Sequence, residues 1–309
     1  MKKYVLKRLL LFIPVLLGVS FIVFSIISLT PGDPGTIILG QNATKESIDQ
    51  LNHELGYDQP FLVRFFHYII HAVQGDFGES YRTGKPVFNE IFARFPTTFK
   101  LATGAVILAI AIGIPIGIIS AVRQYSVLDT VGTITAMFMA SVPQFWLGLM
   151  MILAFAVTLG WLPSTGISSW KHFIMPIITL ALPCAANVLR MTRSTMLETI
   201  RQDYIRTARA KGAPESTVVL KHALRNALLP VITVVGINFG YLLGGTVLIE
   251  SVFGIPGVGT LTITSIRMKD IPQTAASVLF LAFIYCAMML AVDILYAYID
   301  PRIKARYAK

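Results

Sequence analysis

The chain has 309 residues, 55% of them hydrophobic and only 14% charged, with a mean hydropathy of +0.69. A soluble domain of this size does not carry so apolar a composition, so the chain reads as an integral membrane protein. Its net charge of +10 sits in clusters between long uncharged runs, and its two cysteines, Cys184 and Cys286, fall inside those runs as small buried hydrophobes rather than as a disulfide framework.

MKKYVLKR supplies four basic residues, and residues 9–29 follow without a charge. These twenty-one residues, at about 1.5 Å each, cross roughly 30 Å of hydrocarbon. A cleaved signal peptide would have a shorter apolar core and a small-residue cleavage site. TPGDPG stands there instead, so a retained first span is expected.

Residues 30–96 form the one sizeable segment outside the bilayer. Thr44 is placed to cap a helix bearing Ile48, Leu51 and Leu55 and closed by Gly56. Pro60 starts a second helix with Phe61, Phe65, Ile69 and Val73 on one face and Gly75 at its end. Between Pro86 and Pro96, the positions of Phe88, Ile91, Phe92 and Phe95 predict a third amphipathic helix lying in the interface. His67 and His71 have the i, i+4 spacing of a metal pair, but no carboxylate or cysteine is placed beside them, so surface histidines are expected and no metal.

A second run covers 101–122, and Arg123 and Asp129 lie in the short turn before a third at 131–159. That run ends in GWLPSTG, with Trp161 and then Trp170 at the depth where indoles favour the interface. The fourth span, 173–189, holds Pro176 and Pro183 and continues as helix into Arg190 and Arg193. The fifth, 227–249, contains Gly240 and Gly244 in a GxxxG spacing, which reads equally as a site of close helix approach or as a chance occurrence in so Gly-rich a run. ESVFGIPGVGTL is expected as a turn-rich outer loop. The sixth span starts at 271–292 and continues to about residue 298, ahead of DPRIKARYAK.

Residues 196–230 stand out as a polar island. With Arg190 and Arg193 it holds eight basic residues against the acids Glu198, Asp203 and Glu215. Leu197, Ile200, Tyr204 and Ala208 recur at helical spacing and predict one apolar stripe on a charged helix. Gly212 ends that helix and Pro214 opens a second, with Val218, Val219 and His222 or Ala223 inward and Pro230 marking the next span. Periodicity alone leaves two readings open, a coupling element and a solvated loop whose basic residues only set topology. A DNA-binding helix-turn-helix, tethered a few residues from two spans, could hardly reach a groove, so no nucleic acid is expected.

Placing both ends, the Arg123 turn and residues 190–226 on one side gathers seventeen basic and five acidic residues there, against nine and ten on the other. By the positive-inside rule the first side is cytoplasmic. The apolar runs carry no mid-span charge of the kind a self-coupled secondary transporter uses: Asp293 lies near the inner end of span six, and Lys100, Glu250 and Asp270 at the outer boundary. Nor is there a Walker A string, a zincin histidine pair or a GxSxG elbow. A transporter or channel subunit, a secondary transporter and an intramembrane enzyme remain the competing classes, and a pathway that borrows its energy fits the charges best.

YIRTARAKG from Tyr204 and HALRNALLP from His222 closely resemble the EAA loop of ABC importer permeases of the dipeptide and oligopeptide type. LTPGDP, ESVFGIPGVGTL and DPR resemble further strings of that family, in the right order, so the resemblance covers essentially the whole chain. The general EAA pattern sets Glu-Ala-Ala ahead of a Gly and then Ile-x-Leu-Pro. Ala208, Gly212 and Leu224 match it, while Arg206 and Thr207 replace Glu-Ala, and His222 and Arg225 replace the Ile and Pro, as in the peptide-type variant.

The resemblance implies an all-α membrane fold of the type I ABC importer permease, with six spans and both termini cytoplasmic, in a bacterial inner membrane. It implies residues 1–96 as an amino-terminal span with an external helical region, 97–300 as the permease domain and 301–309 as a tail. It further implies a second homologous permease subunit, two cytoplasmic ATPase subunits that bind ATP and Mg, and an extracytoplasmic solute-binding protein; this chain, set in membrane lipid, holds no cofactor and is not an enzyme. Tyr204, Arg206, Thr207, Ala208, Arg209, Lys211, Gly212, His222, Leu224 and Arg225 are the residues expected to couple to the ATPase. Relatives of this type serve dipeptides, oligopeptides, glutathione or nickel, and the sequence does not choose among them or mark the solute-binding residues.

Overall fold

The computed structural model describes residues 2–29, 32–40 and 42–299. Thr30 and Pro31 of the LTPGDP string, the DPR string and the tail lie outside the described residues. The elements in chain order are α1 (Lys2–Leu29), α2 (Pro34–Leu39), α3 (Lys45–Glu54), α4 (Phe61–Val73), α5 (Val87–Val122), α6 (Val127–Ser141) and α7 (Gln144–Met151). After a π-helical stretch at Ile152–Thr158 come α8 (Ile174–Ile200), α9 (Asp203–Ala210), α10 (Glu215–Thr217), a second π stretch at Val218–Ala223, α11 (Leu224–Gly245), α12 (Val247–Val252), α13 (Val258–Arg267) and α14 (Ile271–Ile299).

Among the described residues, five helical stretches are long and apolar enough to cross a membrane, at Arg8–Leu29, Val87–Val122, Trp170–Ile200, Glu215–Gly244 and Ile271–Leu295. The third apolar run is not the straight span expected. It breaks between α6 and α7 with a bend of 98°, and counts as a sixth span only if the bent pair is taken together. The cause is Pro143, which has no N–H to give the helix and drives Val142 out of helical backbone to ψ 126°.

By packing, the described residues divide into one unit of residues 99–255 with 285–299 and 2–5, and a second within 6–98 with 256–284. In the first unit, α8 is the most buried long helix and packs against α5, α6 and α11. Close approach to α5 needs small residues there, because a Cβ at Gly113 or Gly117 would lie 2.8 and 2.7 Å from Val188 and Thr192. The GxxxG pair in contact is not Gly240 with Gly244. A Cβ at Gly236 would meet Val292 at 2.1 Å and one at Gly240 would meet Tyr285 at 2.9 Å, whereas Gly244 faces open space. The face of α11 that meets α14 therefore lies one turn earlier than expected.

In the second unit the helix expected between Pro86 and Pro96 is the start of the 36-residue α5. Its apolar face is in the core, where Val87 and Ile91 pack with Val258, Leu261, Ala276 and Phe280, so that burial holds the helix through the hydrogen bond lost at Pro96. The Thr44 cap is present, accepting from the Ser47 N–H, and helix α3 closes before Gly56, which has φ +67°. Helix α4 buries Phe65 against Phe21 and Phe24 of α1, but Val73, expected on the same face, is 83% exposed. Asp33 of LTPGDP caps α2, accepting from the Thr36 N–H and from Asn52 Nδ2 at 2.8 and 2.7 Å. The string expected to be an outer loop is mostly helical, divided between α12 and α13, with its turn around Gly254 at φ +58°.

Candidate coupling surface

The apolar stripe read across 197–208 does not lie on one helix. Residues Leu197 and Ile200 belong to the end of α8, and Gln202, in extended backbone at ψ 149°, turns the chain before α9 begins. No Pro or Gly marks that turn, so the sequence offered no sign of it. The turn rotates α9 so that Ile205, not Tyr204, faces inward. Ile205 is fully buried with Ala121, Met196, Val218, Val219, Ala223 and Ala227, and Ala208 and Leu224 pack on the edge of this cluster.

Tyr204 is 44% exposed, and its hydroxyl accepts a 2.8 Å hydrogen bond from Asn226 Nδ2, which ties α9 to α11. Arg206, Thr207, Lys211 and Arg225 are exposed. The pair Arg206–Asp203, at 3.8 Å and almost fully in water, leaves the Arg206 charge available. Arg209 is different: its Nη2 and Nε donate to both oxygens of Glu215 at 2.7 and 3.1 Å, clamping α9 to α10 across the turn. Gly212 makes that turn at φ +80°, and its N–H donates to the Arg209 carbonyl. His222 is half-buried, in a π-helical stretch that leads directly into α11, and Pro230 lies inside α11 rather than at its start. The second loop helix is thus the first turn of the following apolar helix, and the loop has no slack on that side.

The most consequential residues missed in the sequence are Asp129 and Arg193. Asp129, expected in a short turn, is buried in the first turn of α6 and accepts from Arg193 Nε and Nη2 at 2.6 and 2.8 Å. Its carboxylate also accepts from the Tyr125 N–H at 3.0 Å, holding Tyr125 in left-handed backbone at φ +65°. Arg201 donates to Gln124 at 3.2 Å. The short α5–α6 turn is therefore pinned to both α8 and the start of the α8–α9 turn. The sequence signal was an acid and a base, each near the end of an apolar run, with nothing to pair them.

Glu250 and Asp270, expected at a water boundary, are buried. Glu250 accepts from Thr246 Oγ1 at 2.9 Å, and Asp270 accepts from Ser80 Oγ, the Tyr81 N–H and the Gln273 N–H, the last in the first turn of α14. Each acid stands at or just before the first turn of a helix, where unpaired N–H groups favour negative charge. Among the described residues no group of three or more His, Cys, Asp or Glu could hold a metal ion, and His71 instead lies 3.7 Å from Asp76.

Residues 113–305 match the family described as binding-protein-dependent transport system inner membrane component, and residues 1–102 match its amino-terminal companion. The chain is 45% identical over 304 residues to the glutathione transport system permease protein GsiC of Salmonella typhimurium, covering 98% of this chain and 99% of that one. The Escherichia coli K12 protein of the same name is 44% identical over the same length. Among solved structures, the inward-facing MetNI methionine ABC transporter superposes with a TM-score of 0.58 at 20% identity, over 70% of this chain and 99% of that chain. An amino acid ABC transporter superposes at 0.53 and 17% identity, over 70% and 94%. At such identities the likeness is one of fold, that of the type I ABC importer.

Proposed function

We propose a coupling mechanism for a chain that belongs to the binding-protein-dependent transport system inner membrane components, and that is therefore the permease of an ABC importer in a bacterial inner membrane. Six spans with both termini in the cytoplasm form the pathway, and the α6–α7 pair is the broken third span. A second permease subunit completes it, two ATPase subunits drive it, and a solute-binding protein delivers the cargo. The cargo is a small peptide or a peptide-like molecule such as glutathione, the solute in the names of the GsiC relatives. Residues 1–96, 97–300 and 301–309 act as external region with first span, permease domain and cytoplasmic tail.

The observation that carries the mechanism is the division of α9 into two faces. Ile205 locks one face into the cluster between the ends of α8 and α11, while Arg206, Thr207 and Lys211 project from the other. A partner that grips the outer face and moves carries the ends of α8 and α11 with it, because Ile205 is buried between them, and the Arg209–Glu215 clamp and the Asn226–Tyr204 bond add ties from α9 to α10 and α11. Closure of the ATPase pair on ATP is the motion in question.

Substitution at Gly212 tests this. A Cβ there meets nothing within 4 Å, so the penalty comes from the backbone alone. Left-handed backbone costs an ordinary residue roughly 1–2 kcal/mol, a β-branched one more and Asn less. Gly212→Val should assemble in the membrane yet lose uptake and the stimulation of ATPase activity by loaded binding protein, while Gly212→Asn keeps most of both. Arg206→Glu should lose them in part. Gly75→Val, at another left-handed glycine with open space around it, should leave ATPase attachment intact. Normal stimulated hydrolysis and uptake in Gly212→Val would leave the loop a topology signal only.

A further inference from the structure

The second unit contains a cavity of about 520 Å³, walled by α1, α4, the turns on either side of α4 and the start of α14. That volume is within the roughly 300–1,000 Å³ range of small-molecule pockets. Arg64 and Tyr68 are among the residues that line it, and the Nε of Arg64 and the hydroxyl of Tyr68 are buried with no hydrogen-bond partner among the described residues. Native structures leave few such groups unmet.

Both groups call for the same kind of partner. A guanidinium only donates. Burial pushes the Tyr68 phenol well above its ordinary value, so it keeps its proton and can donate too. Among the described residues no carboxylate makes an ion pair with Arg64; its guanidinium carbon lies 4.4 Å above the ring of Tyr57, which holds the plane in place. Tyr68 is held by a stacked Phe24 at 5.7 Å and an edge-on Phe77 at 6.4 Å, and these rings make one wall of the cavity apolar. Two exposed acids, Glu54 and Asp76, line the same space. Positioned donors, aromatic walls and separate acids match a zwitterion that carries a carboxylate, an apolar body and an ammonium group.

We infer that this cavity binds the free carboxylate of a small peptide-like solute, with Arg64 and Tyr68 as its donors. The inference rests on the reading of the chain as a permease whose 30–96 segment faces outward, and it adds a site for the solute on the permease itself, ahead of the pathway. It predicts recognition by the carboxyl end, so that many side chains are accepted.

The test is equilibrium binding to the full chain in nanodiscs, without ATPase or binding protein. The probes are dialanine, reduced glutathione and dialanine amide. Saturable binding of the two acids is expected, with the amide weaker by about tenfold or more, as for loss of a charge-assisted bond. Arg64→Gln should weaken the acids to the level of the amide, and Arg82→Gln, on an exposed side chain of the same segment, should change nothing. Tyr68→Phe guards against misfolding: it removes a hydroxyl with no protein partner and keeps the ring, so thermal stability should hold while affinity for the acids falls.

Absence of binding by the wild type, equal binding of acid and amide, or equal affinities in wild type and Arg64→Gln would each overturn the proposal. So would binding of the solute-binding protein that depends on Arg64 while the free probes do not bind, which would make the cavity a docking socket for a partner's carboxylate. Uptake by the assembled importer separates the two levels. Peptide uptake with no direct binding sinks this site and leaves the function standing, and direct binding without peptide uptake does the reverse.

Discussion

Removing the Asp129 carboxylate tests whether the α5–α6 turn is a structural part of the proposed coupling region. Its side chain is 5% exposed and that of Arg193 is 26% exposed, with two bonds at 2.6 and 2.8 Å. Breaking a buried ion pair by truncating one partner costs roughly 3–5 kcal/mol. Arg193 can turn partly to water, which brings the expected cost of Asp129→Ala to about 2–3 kcal/mol. Loss of the bond to the Tyr125 N–H also frees a non-glycine residue from left-handed backbone, a conformation roughly 1–2 kcal/mol above its alternatives, so the turn should rearrange. Asp129→Asn keeps an acceptor for Tyr125 and should cost about half as much. The assay is a double-mutant cycle over Asp129→Ala and Arg193→Ala on the purified complex, reading unfolding and stimulated ATPase activity together. An interaction energy of about 1–3 kcal/mol is expected, with the double variant less impaired than the sum of the single ones. Strictly additive effects would refute the claim that these two side chains act as a pair.

Ile205→Ala, at a fully buried site, should cost roughly 2–5 kcal/mol, whereas Tyr204→Phe, which removes one hydrogen bond, should cost about 1 kcal/mol. The opposite order in thermal unfolding would mean that α9 is turned the other way. Gly236→Ala would place a methyl 2.1 Å from a Val292 methyl group, and should lose roughly 1–3 kcal/mol of α11–α14 packing, while Gly244→Ala is neutral. Equal thermal stability of the two variants would contradict that contact. Single cysteines at the exposed Ser47 and Ser216, with Cys184 and Cys286 replaced, should be labelled by an impermeant reagent from the outside and the inside respectively, and labelling of both from one face would end the six-span topology.

Much of this protein was determined locally by the sequence. Apolar runs of bilayer length became helices wherever nothing interrupted them, because a backbone without water must satisfy its own hydrogen bonds. Thr44, Gly56, Gly75 and Gly212 acted as caps and stops where they stand, since capping depends on a few neighbouring residues. The family likeness rested on strings of similarly local character. Tertiary structure decided whatever depends on which face meets which neighbour. Pro96 and Pro230 look alike in sequence to Pro143, yet two lie within continuous helices and only the third ends one; ahead of Pro96, Val87 and Ile91 are buried and Phe95 half-buried in a core that holds the helix together. The inward face of α9 is Ile205 because of a turn at Gln202 that no residue type announces. Asp129 meets Arg193 across 64 positions, and Arg64 and Tyr68 share a cavity with α1 and α14. Period and propensity report on the few residues around each position, while pairing and burial are set by helices far apart in the chain, so the polar loop at 196–230 stood out from its residues but the contacts that hold it did not.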